Sequence, residues 1–422
     1  MHDCSNSFMS MHVMRRRCLQ AREAPVVLVV LCAAVLCVGG CIGEVVLLED
    51  EAGTLHINTS DPATQHVVVN GVNVDTLFRA VETLMATVSA QQNTIDALCQ
   101  VKVRAKTFGQ LEAQSTKWTG GALADNGLIY AVPYSSPSVL IIDPSTNTAD
   151  TTTISNLGND LGKWAGAVRA HNGLIYMFPS LRTTMLIVDP DTNVADTTSI
   201  QSLGTTSGKW FSGVVADNGL VFGVPLSATS VLIIDPETNS ADTTTLGGLE
   251  PGSNQWYGAV QAANNLIYCT PIAATSVLII NPDSLVMDLT TISGLGAGGV
   301  YKWIGAVLAG NGLVYGIPYG SSSALIIDPR TNATDTTTIS GLAGSRKWIG
   351  GVRAPNGKIV GIPHYSPSVL IFDPNTNSTD TTAINDLTGG NAKWYDGVLA
   401  PNGLVYCIPS SAETVLVIDP GC

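Results

Sequence analysis

The stretch WTGGALADNGLIYAVPYSSPSVLIIDPSTNTADTTTI, residues 118–154, decides the fold, because six variants of it follow along the chain. Each variant opens with a tryptophan, and successive tryptophans lie 46, 46, 46, 47, 45 and 46 residues apart. A period of this length indicates a repeat architecture in which every copy folds as one structural unit. The tryptophans are Trp118, Trp164, Trp210, Trp256, Trp303, Trp348 and Trp394.

Each copy predicts four β-strands. In the copy that starts at Trp164, small residues beside the tryptophan would let neighbouring sheets approach closely. HNG at 171–173 predicts a two-residue type I′ turn, since Asn and Gly tolerate a positive φ. LIYMFP and the apolar MLIVDP follow as the second and third strands, and DPDTN supplies the next turn. The Thr-rich ADTTSI has the polar alternation of an outer strand.

Four antiparallel strands in every period are typical of the blades of a β-propeller. We therefore expect an all-β, seven-bladed β-propeller with four antiparallel strands per blade over residues 101–422. The alternative is an open β-solenoid. A solenoid should have atypical capping repeats at both ends, whereas these copies hardly differ.

The segment GLIYAVPYSSPSVLIIDPSTN (Gly127 to Asn147) and its six counterparts resemble the YVTN family of β-propeller repeats. That resemblance covers about three-quarters of the chain, and it implies the propeller fold. The repeated Lys-Trp opening and the D-T-T-T strand depart from the family pattern. The resemblance therefore implies no activity.

The last copy stops at VLVIDPGC, residues 415–422, before any fourth strand. TFGQLEAQSTKW at 107–118 aligns without gaps on TISNLGNDLGKW at 153–164, with Phe108 in the place of Ile154. We therefore expect the N-terminal strand to complete the last blade, which removes a free sheet edge.

The same alignment places Cys99 and Cys422 at neighbouring positions of one turn. It predicts a Cys99–Cys422 disulfide, in keeping with an oxidising exterior. Cys269 and Cys407 occupy equivalent strand positions in the fourth and seventh copies. They are too distant to pair, and we expect both thiols to be buried and free.

The N-terminal region predicts export. Residues 1–24 are basic, and residues 25–43 are uncharged and apolar, of a length that suits a cleaved signal peptide or an uncleaved signal anchor; a buried core segment is the third possibility. Either membrane reading places everything after residue 43 outside the cell. Three sequons fit that location, at Asn58, Asn332 and Asn377.

Residues 44–73 are expected to form a short β or linker segment, with a hairpin at 66–75, before a heptad-patterned helix at 74–100. β-branched residues at a and Leu at d favour a parallel dimeric coiled coil, while apolar residues at e keep a trimer possible. The alternative is an amphipathic helix that packs on the next domain. The a and d residues are Val74, Leu77, Val81, Leu84, Val88, Gln91, Ile95 and Leu98.

Composition excludes a nucleic-acid-binding class. The net charge is −13 and only 13% of residues are charged, whereas phosphate recognition needs clustered Lys and Arg. No catalytic constellation, metal-spaced His cluster or cofactor motif is evident. One acid recurs before the turn proline, and we interpret it as a turn former rather than a metal ligand, because the fourth copy replaces it by Asn. This position holds Asp143, Asp189, Asp235, Asn281, Asp328, Asp373 and Asp419.

Recognition is expected where the copies differ, in the loops between second and third strands and in the connections between blades. Tyr and Arg are favoured anchors there. Asp396 replaces a small residue of the first strand and is a candidate acid at the central channel. We therefore expect an exported or membrane-anchored, non-catalytic binding or adhesion module for a protein or glycan ligand; the alternative is a propeller enzyme of lactonase, lyase or glycosidase type. The candidate ligand-binding residues are Tyr134, Arg182, Tyr301, Tyr319, Arg346, His364 and Tyr365.

Overall fold

The computed structural model describes residues 28–29, 45–49, 55–59, 68–69, 72–98, 103–252, 254–296, 301–387 and 390–421. The chain divides into two units, Met1–Leu98 and Cys99–Cys422. Cys99 and Cys422 themselves, and most of the apolar segment 25–43, lie outside the described residues. The predicted disulfide and the predicted signal peptide or anchor therefore stay predictions.

The N-terminal unit contains short strands and one helix. Leu28–Val29, Val45–Glu49 and Leu55–Thr59 form an antiparallel sheet. Val68–Val69 pairs with Val72–Asn73, which confirms the predicted hairpin. The helix Val74–Leu98 follows at once, capped by Asn73, whose side-chain oxygen accepts a hydrogen bond from Thr76 N at 3.1 Å. Within the described ranges, no helix combines the length and hydropathy needed to span a bilayer.

The second unit is a propeller of seven four-stranded antiparallel sheets, which confirms the predicted architecture. The first strands are Trp118–Leu123, Trp164–Arg169, Trp210–Val215, Trp256–Gln261, Trp303–Leu308, Trp348–Arg353 and Trp394–Leu399. The second strands are Ile129–Pro133, Ile175–Pro179, Val221–Pro225, Ile267–Pro271, Val314–Pro318, Ile359–Pro363 and Val405–Pro409.

The outer half of each blade repeats as regularly as the inner half. The third strands are Leu140–Asp143, Leu186–Asp189, Leu232–Asp235, Leu278–Asn281, Leu325–Asp328, Leu370–Asp373 and Val415–Asp419. The fourth strands are Thr148–Asp150, Val194–Asp196, Ser240–Asp242, Val286–Asp288, Ala333–Asp335, Ser378–Asp380 and, in the last blade, Arg104–Phe108.

The closure by the N-terminal strand is confirmed, but its register differs in part from the gap-free alignment. Phe108 pairs with Val415 as expected. At the other end Arg104 lies opposite Asp419, whereas the alignment predicts residue 102 there. The cause is local: in the other blades the chain leaves the ladder at a bend after the Asp that ends the fourth strand, and Arg104–Phe108 has no such bend and runs straight.

Apolar side chains pack between neighbouring blades. Trp164, 2% exposed, packs with Tyr130 and Ile141 of the preceding blade, and its indole N–H donates to the Thr184 carbonyl at 2.8 Å. Trp118 packs in the same way against the last blade. The tryptophan that marks each repeat is thus the anchor of one blade in the next, so the core runs around the ring.

Two local details differ from the sequence expectation. The Asn-Gly turns are not type I′: in the second blade only Gly173 has a positive φ, and its N–H bonds Ala170 O, which is a type I turn followed by a left-handed residue. Each first strand also contains a β-bulge just after the tryptophan, as between Ala165 and Ala167. The bulge residue Gly166 has a φ of 63°, so the strand does not alternate regularly.

Candidate functional site

One face of the disc carries the turns that join the first strand to the second and the third strand to the fourth in each blade. We name it the repeated-turn face. Asn126 Nδ2 donates to the carbonyl of Pro190 in the next blade at 3.0 Å, and Tyr130 donates to Asn193 Oδ1 at 2.9 Å. An Asn-to-Pro bond of this kind joins every pair of neighbouring blades, including the closing pair. The repeated residues on this face therefore form an inter-blade seam.

The recurring aspartates hold the turns of this face. Asp143 accepts hydrogen bonds from Ser145 Oγ at 2.6 Å, Ser145 N at 2.8 Å and Thr146 Oγ1 at 2.9 Å, and these bonds lower the pKa of its carboxyl. In the fourth blade Asn281 accepts from Asp283 N at 3.0 Å in the same way. Turn formation is thus confirmed as the role of these acids.

Two of the three sequons lie on the repeated-turn face, in different environments. Asn332 is half-buried, and its Oδ1 accepts a hydrogen bond from Tyr268 at 2.8 Å. Asn377, one blade further on, is exposed. Asn58 belongs to the strand Leu55–Thr59 of the N-terminal unit. Asn377 therefore offers the more accessible amide within the propeller.

The opposite face carries the loops between second and third strands and the connections between blades, and we name it the variable-loop face. Beneath its loops lie buried lysines from the Lys-Trp pairs. Lys347 Nζ donates to the carbonyls of Tyr319, Ser321 and Gly344 at 3.2, 2.8 and 2.9 Å. The lysines in this position are Lys117, Lys163, Lys209, Lys302, Lys347 and Lys393, with Gln255 in the fourth blade.

Sequence reasoning missed this layer, although the recurrence of Lys before Trp was its signal. Each ammonium donates to a carbonyl of the preceding blade's loop, and no carboxylate is hydrogen-bonded to it in the described part of the chain. Those that also bond a carbonyl of their own connection are Lys117, Lys163, Lys209 and Lys347. Burial lowers the pKa of Lys163, Lys209 and Lys347 to about 8. The varied loops thus rest on the same arrangement of lysine ammoniums and backbone carbonyls in nearly every blade.

Five of the seven predicted ligand-binding residues come together on the variable-loop face, and we name them the aromatic–arginine patch. They belong to the fifth and sixth blades and to the connections that lead into those blades. The patch consists of Tyr301, Tyr319, Arg346, His364 and Tyr365.

His364 is the buried centre of the patch, not an exposed contact as expected. Its ring centroid lies 5.9 Å from that of Tyr319, 5.0 Å from Tyr365 and 5.7 Å from Tyr395. Burial lowers the pKa of His364 to about 4, so the ring is neutral at pH 7. Because Nδ1 lies 3.0 Å from the Trp394 carbonyl, which can only accept, Nδ1 carries the proton. Tyr319 is buried as well.

Arg346 is the exposed charge of the patch. Its guanidinium carbon lies 5.6 Å from the ring centroid of Tyr365, a cation–π geometry. Arg346 also occupies a left-handed backbone position, with a φ of 56°. In the described part of the chain arginine ion pairs form at Arg169, Arg182 and Arg330, and no carboxylate pairs with Arg346. The patch therefore presents an uncompensated cation beside aromatic rings.

An open groove of about 420 Å³ borders the patch. Tyr365 forms one side, the blade connection 341–345 forms another, and Trp348 and Thr381 also line it. Five of its lining residues are Ser or Gly, so hydroxyl and peptide groups lie beside an aromatic edge. Such a mixture suits an extended polar ligand better than a compact apolar one.

Tyr134 and Arg182 do not join the patch. Arg182 pairs with Asp160 and lies over Trp164, with its guanidinium 5.5 Å from the ring centroid. It borders a smaller groove of about 260 Å³ in the second blade. Tyr134 packs edge-on against Phe211 near the axis, with centroids 5.8 Å apart. These two residues therefore lack the free charge and the shared surface of the other five.

Asp396 lies among the first strands that surround the central axis. It replaces the bulge glycine of the first strand and keeps the left-handed backbone, with a φ of 72°. Its carboxylate borders an axial cavity of about 210 Å³ that is otherwise lined mainly by small residues of the first strands. Burial raises the pKa of Asp396 to about 6.

An aromatic layer that the sequence did not predict crosses the axis on the variable-loop side of Asp396. The ring centroids of Phe211 and Tyr257 lie 6.5 Å apart, and those of Tyr257 and Tyr395 lie 6.2 Å apart. Each of these residues directly follows the tryptophan of its blade. The sequence signal for the layer was therefore a large aromatic residue after the tryptophan in some copies and not in others. The layer separates Asp396 from the variable loops.

Comparison with solved structures identifies the fold but no family. A streptogramin B lyase matches with a TM-score of 0.58 at 10% identity, over 75% of this chain and 98% of the lyase. Virginiamycin B lyase from Staphylococcus aureus matches with a TM-score of 0.60 at 9% identity, over 75% of this chain and 99% of that chain. The extracellular domain of a putative hybrid two-component system from B. thetaiotaomicron matches with a TM-score of 0.55 at 10% identity, over 74% of this chain and 40% of that chain.

No family profile and no curated protein matches the sequence. The matching solved structures include lyases and the extracellular domain of a putative two-component system, so the shared propeller fold occurs in proteins of more than one kind.

Proposed function

We propose that the protein is an exported, non-catalytic binding module that holds a glycan ligand on the aromatic–arginine patch. The observation that carries the proposal is Arg346, an exposed cation that stacks on Tyr365 and has no carboxylate partner in the described residues. In a chain with a net charge of −13, such a cation is set apart from its surroundings.

A carbohydrate fits this surface better than a flat protein partner does. The apolar face of a sugar ring packs on an aromatic side chain, and Tyr365 borders the groove where that ring would lie. Sugar hydroxyls would find backbone and serine partners along 366–368 and 341–345. Arg346 would add hydrogen bonds, strongest to a carboxylated or sulfated sugar.

Hydrogen bonds and packed rings support the patch from beneath. Lys347 bonds three carbonyls around it, and neutral His364 fills the space between Tyr319 and Tyr395. A preformed surface loses less side-chain entropy on binding than one that must order. His364 and Tyr319 therefore position the exposed members and do not need to contact the ligand.

The decisive experiment compares Arg346→Ala with Arg330→Ala on an array of neutral and acidic oligosaccharides. Arg330 is 85% exposed on the repeated-turn face. Replacing it by Ala removes one positive charge, as Arg346→Ala does, but far from the patch. We expect Arg346→Ala and Tyr365→Ala each to weaken binding by about tenfold or more, as anchor residues do. Equal losses in Arg346→Ala and Arg330→Ala would contradict the assignment. If no oligosaccharide binds but an extracellular protein does so through Arg346, the ligand is a protein.

We also propose that the helix Val74–Leu98 joins several copies of the chain. Its heptad residues are exposed: Leu77 is 52%, Leu84 63% and Val88 55% accessible. Phe78 and Met85, at 63% and 69%, widen the same stripe. A second copy with the same stripe is the natural cover, because the a and d pattern is self-complementary.

Several copies would raise avidity from weak single sites. The mass of the chain from residue 44 should be that of a dimer or trimer in light scattering, while the chain from residue 103 should be monomeric. A monomer in both cases would contradict the proposal.

The exported location is also part of the proposal. The basic segment 1–24 and the apolar segment 25–43 support it, as do the sequons of the propeller. Expression in a secreting host should place the propeller outside the cell, with Asn377 more fully glycosylated than Asn332, whose side chain the seam occupies. Retention of the propeller inside the cell would contradict the proposal, whether residues 25–43 are cleaved or remain as an anchor.

A further inference from the structure

The axial cavity contains a carboxylate for which the described residues supply no cation. Asp396 Oδ1 accepts one hydrogen bond, from the adjacent Gly397 N at 2.8 Å. The titratable groups that interact electrostatically with Asp396 are Tyr257, Tyr395 and Cys407, and none of them is cationic. A desolvated, unpaired carboxylate is unfavourable.

The backbone of the first strands lies around that carboxylate. Each first strand is the terminal strand of its sheet, and the seven first strands meet around the axis. Along one edge of each first strand, therefore, the peptide groups form no hydrogen bonds to a neighbouring strand. The glycines let these edges approach closely: a Cβ on Gly350 would overlap Oδ1 of Asp396, and one on Gly166 would overlap the carbonyl of Phe211. The cavity is thus walled by backbone, not by bulky side chains.

Access favours small solutes. The layer of Phe211, Tyr257 and Tyr395 lies between Asp396 and the variable loops. The cavity volume is about 210 Å³, which admits a small ion with a few waters but no oligosaccharide. This site is therefore separate from the aromatic–arginine patch.

We propose that Asp396 and the peptide oxygens of the axial cavity bind a small monovalent cation, either an alkali-metal ion or an ammonium group. One carboxylate balances one positive charge. A divalent ion would call for more anionic ligands, and no group of three or more His, Cys, Asp or Glu suited to a metal occurs among the described residues. The carboxylate must be ionised to bind, so binding weakens as pH falls below about 6.

The test is the thermal stability of the full chain in N-methylglucamine chloride, partly replaced at constant ionic strength by sodium, potassium, ammonium, methylammonium or calcium chloride. The comparison variant is Asp396→Gly, which restores the glycine found at this position in five of the other six blades, at a φ that glycine accepts. At pH 7.5 and a hundredfold excess over Kd, we expect one of the monovalent cations to raise the Tm of the wild type by about 4 °C. The Asp396→Gly variant should not respond.

The sodium and potassium arms distinguish a metal ion from an ammonium ligand. A carboxyl ¹³C NMR titration of Asp396 should show a lower pKa in the effective salt than in N-methylglucamine. Equal Tm responses of the two proteins to every monovalent salt, a response to calcium alone, or an unchanged Asp396 titration would each overturn the proposal.

Discussion

The two faces of the disc are built from the same seven repeats and use sequence in opposite ways. On the repeated-turn face Asn126 and Tyr130 bond the turn of the next blade, and nearly identical residues do so around the ring. On the variable-loop face the repeated residue is a buried lysine, and the loops above it differ in every copy. Regularity thus marks what joins blades, and variation above a regular support marks what is free to recognise a ligand.

The largest expected effect concerns the closure at the repeated-turn face. A Cys99–Cys422 disulfide would join residues just beyond the paired Arg104 and Asp419. In the chain-entropy picture, closing so long a loop stabilises the protein by about 5 kcal/mol. Cys422→Ser should lower the free energy of unfolding by up to that amount, measured by denaturant titration. Non-reducing peptide mapping provides the control, and a free thiol at Cys422 in the secreted protein would show that the prediction is wrong.

The next effect tests the support of the variable-loop face. Lys347→Ala leaves the carbonyls of Tyr319, Ser321 and Gly344 without their donor, at an expected cost of about 2–4 kcal/mol. Lys347→Gln is the matched variant, because Gln255 fills this position in the fourth blade. Denaturant unfolding should rank wild type above Gln above Ala. If Ala and Gln cost the same, the lysine contacts do not support the loops as described.

The pH dependence should have opposite signs for the axis and for the patch. Folded Asp396 has a pKa of about 6, raised from 3.8, so its carboxyl favours the fold most below pH 4 and costs stability as pH rises to about 6. Folded His364 has a pKa of about 4, lowered from 6.5, so its contribution is complete above pH 6.5 and is lost as pH falls.

Between pH 4 and 6.5 the two groups therefore oppose each other. In N-methylglucamine buffer, Asp396→Asn should gain stability relative to wild type as pH rises, by of order 2 kcal/mol. His364→Gln should gain relative to wild type as pH falls through the same window. Free energies of unfolding at pH 4, 5, 6 and 7 measure both slopes, and parallel curves for all three proteins would contradict the assignments.

The smallest effect tests the seam. Tyr268→Phe removes the hydroxyl bonded to Asn332 and should cost about 1 kcal/mol. The third blade already shows the apolar alternative, in which Phe222 and Leu285 belong to one core cluster. The double variant Tyr268→Phe with Asn332→Leu should therefore recover most of the loss, because Leu285 adopts a φ of 52° at the same turn position. A double variant as unstable as the sum of its parts would show that the pair is not interchangeable.

The sequence predicted what depends on spacing along the chain. The tryptophan period indicated the blades, the match of Phe108 to Ile154 indicated the closing strand, and the Asp-Pro turns were assigned correctly. The bulge at Gly166 and the turn type at Gly173 were not predicted. A glycine can adopt several backbone conformations, and the surrounding fold decides which one occurs.

The site was predicted less completely than the fold. Comparison of the copies located the variable loops, yet it could not tell that Arg346 lies over Tyr365 while Arg182 pairs with Asp160. Such pairings depend on how connections fold across blades. His364 was expected at the surface because it varies, and its burial follows from the aromatic layer at the axis, which no spacing along the chain reveals.

The strand Arg104–Phe108 has a consequence for the order of folding. Six blades are built from neighbouring residues, but the last one needs both ends of the propeller sequence at once. Closing a loop about three doublings longer than a single blade costs roughly 1.8 kcal/mol of extra chain entropy, so this step should come late. A circular permutant that joins the ends of the propeller and opens at the connection after Leu203 would make the seventh blade local. Its folding should then be faster, with the same native ring.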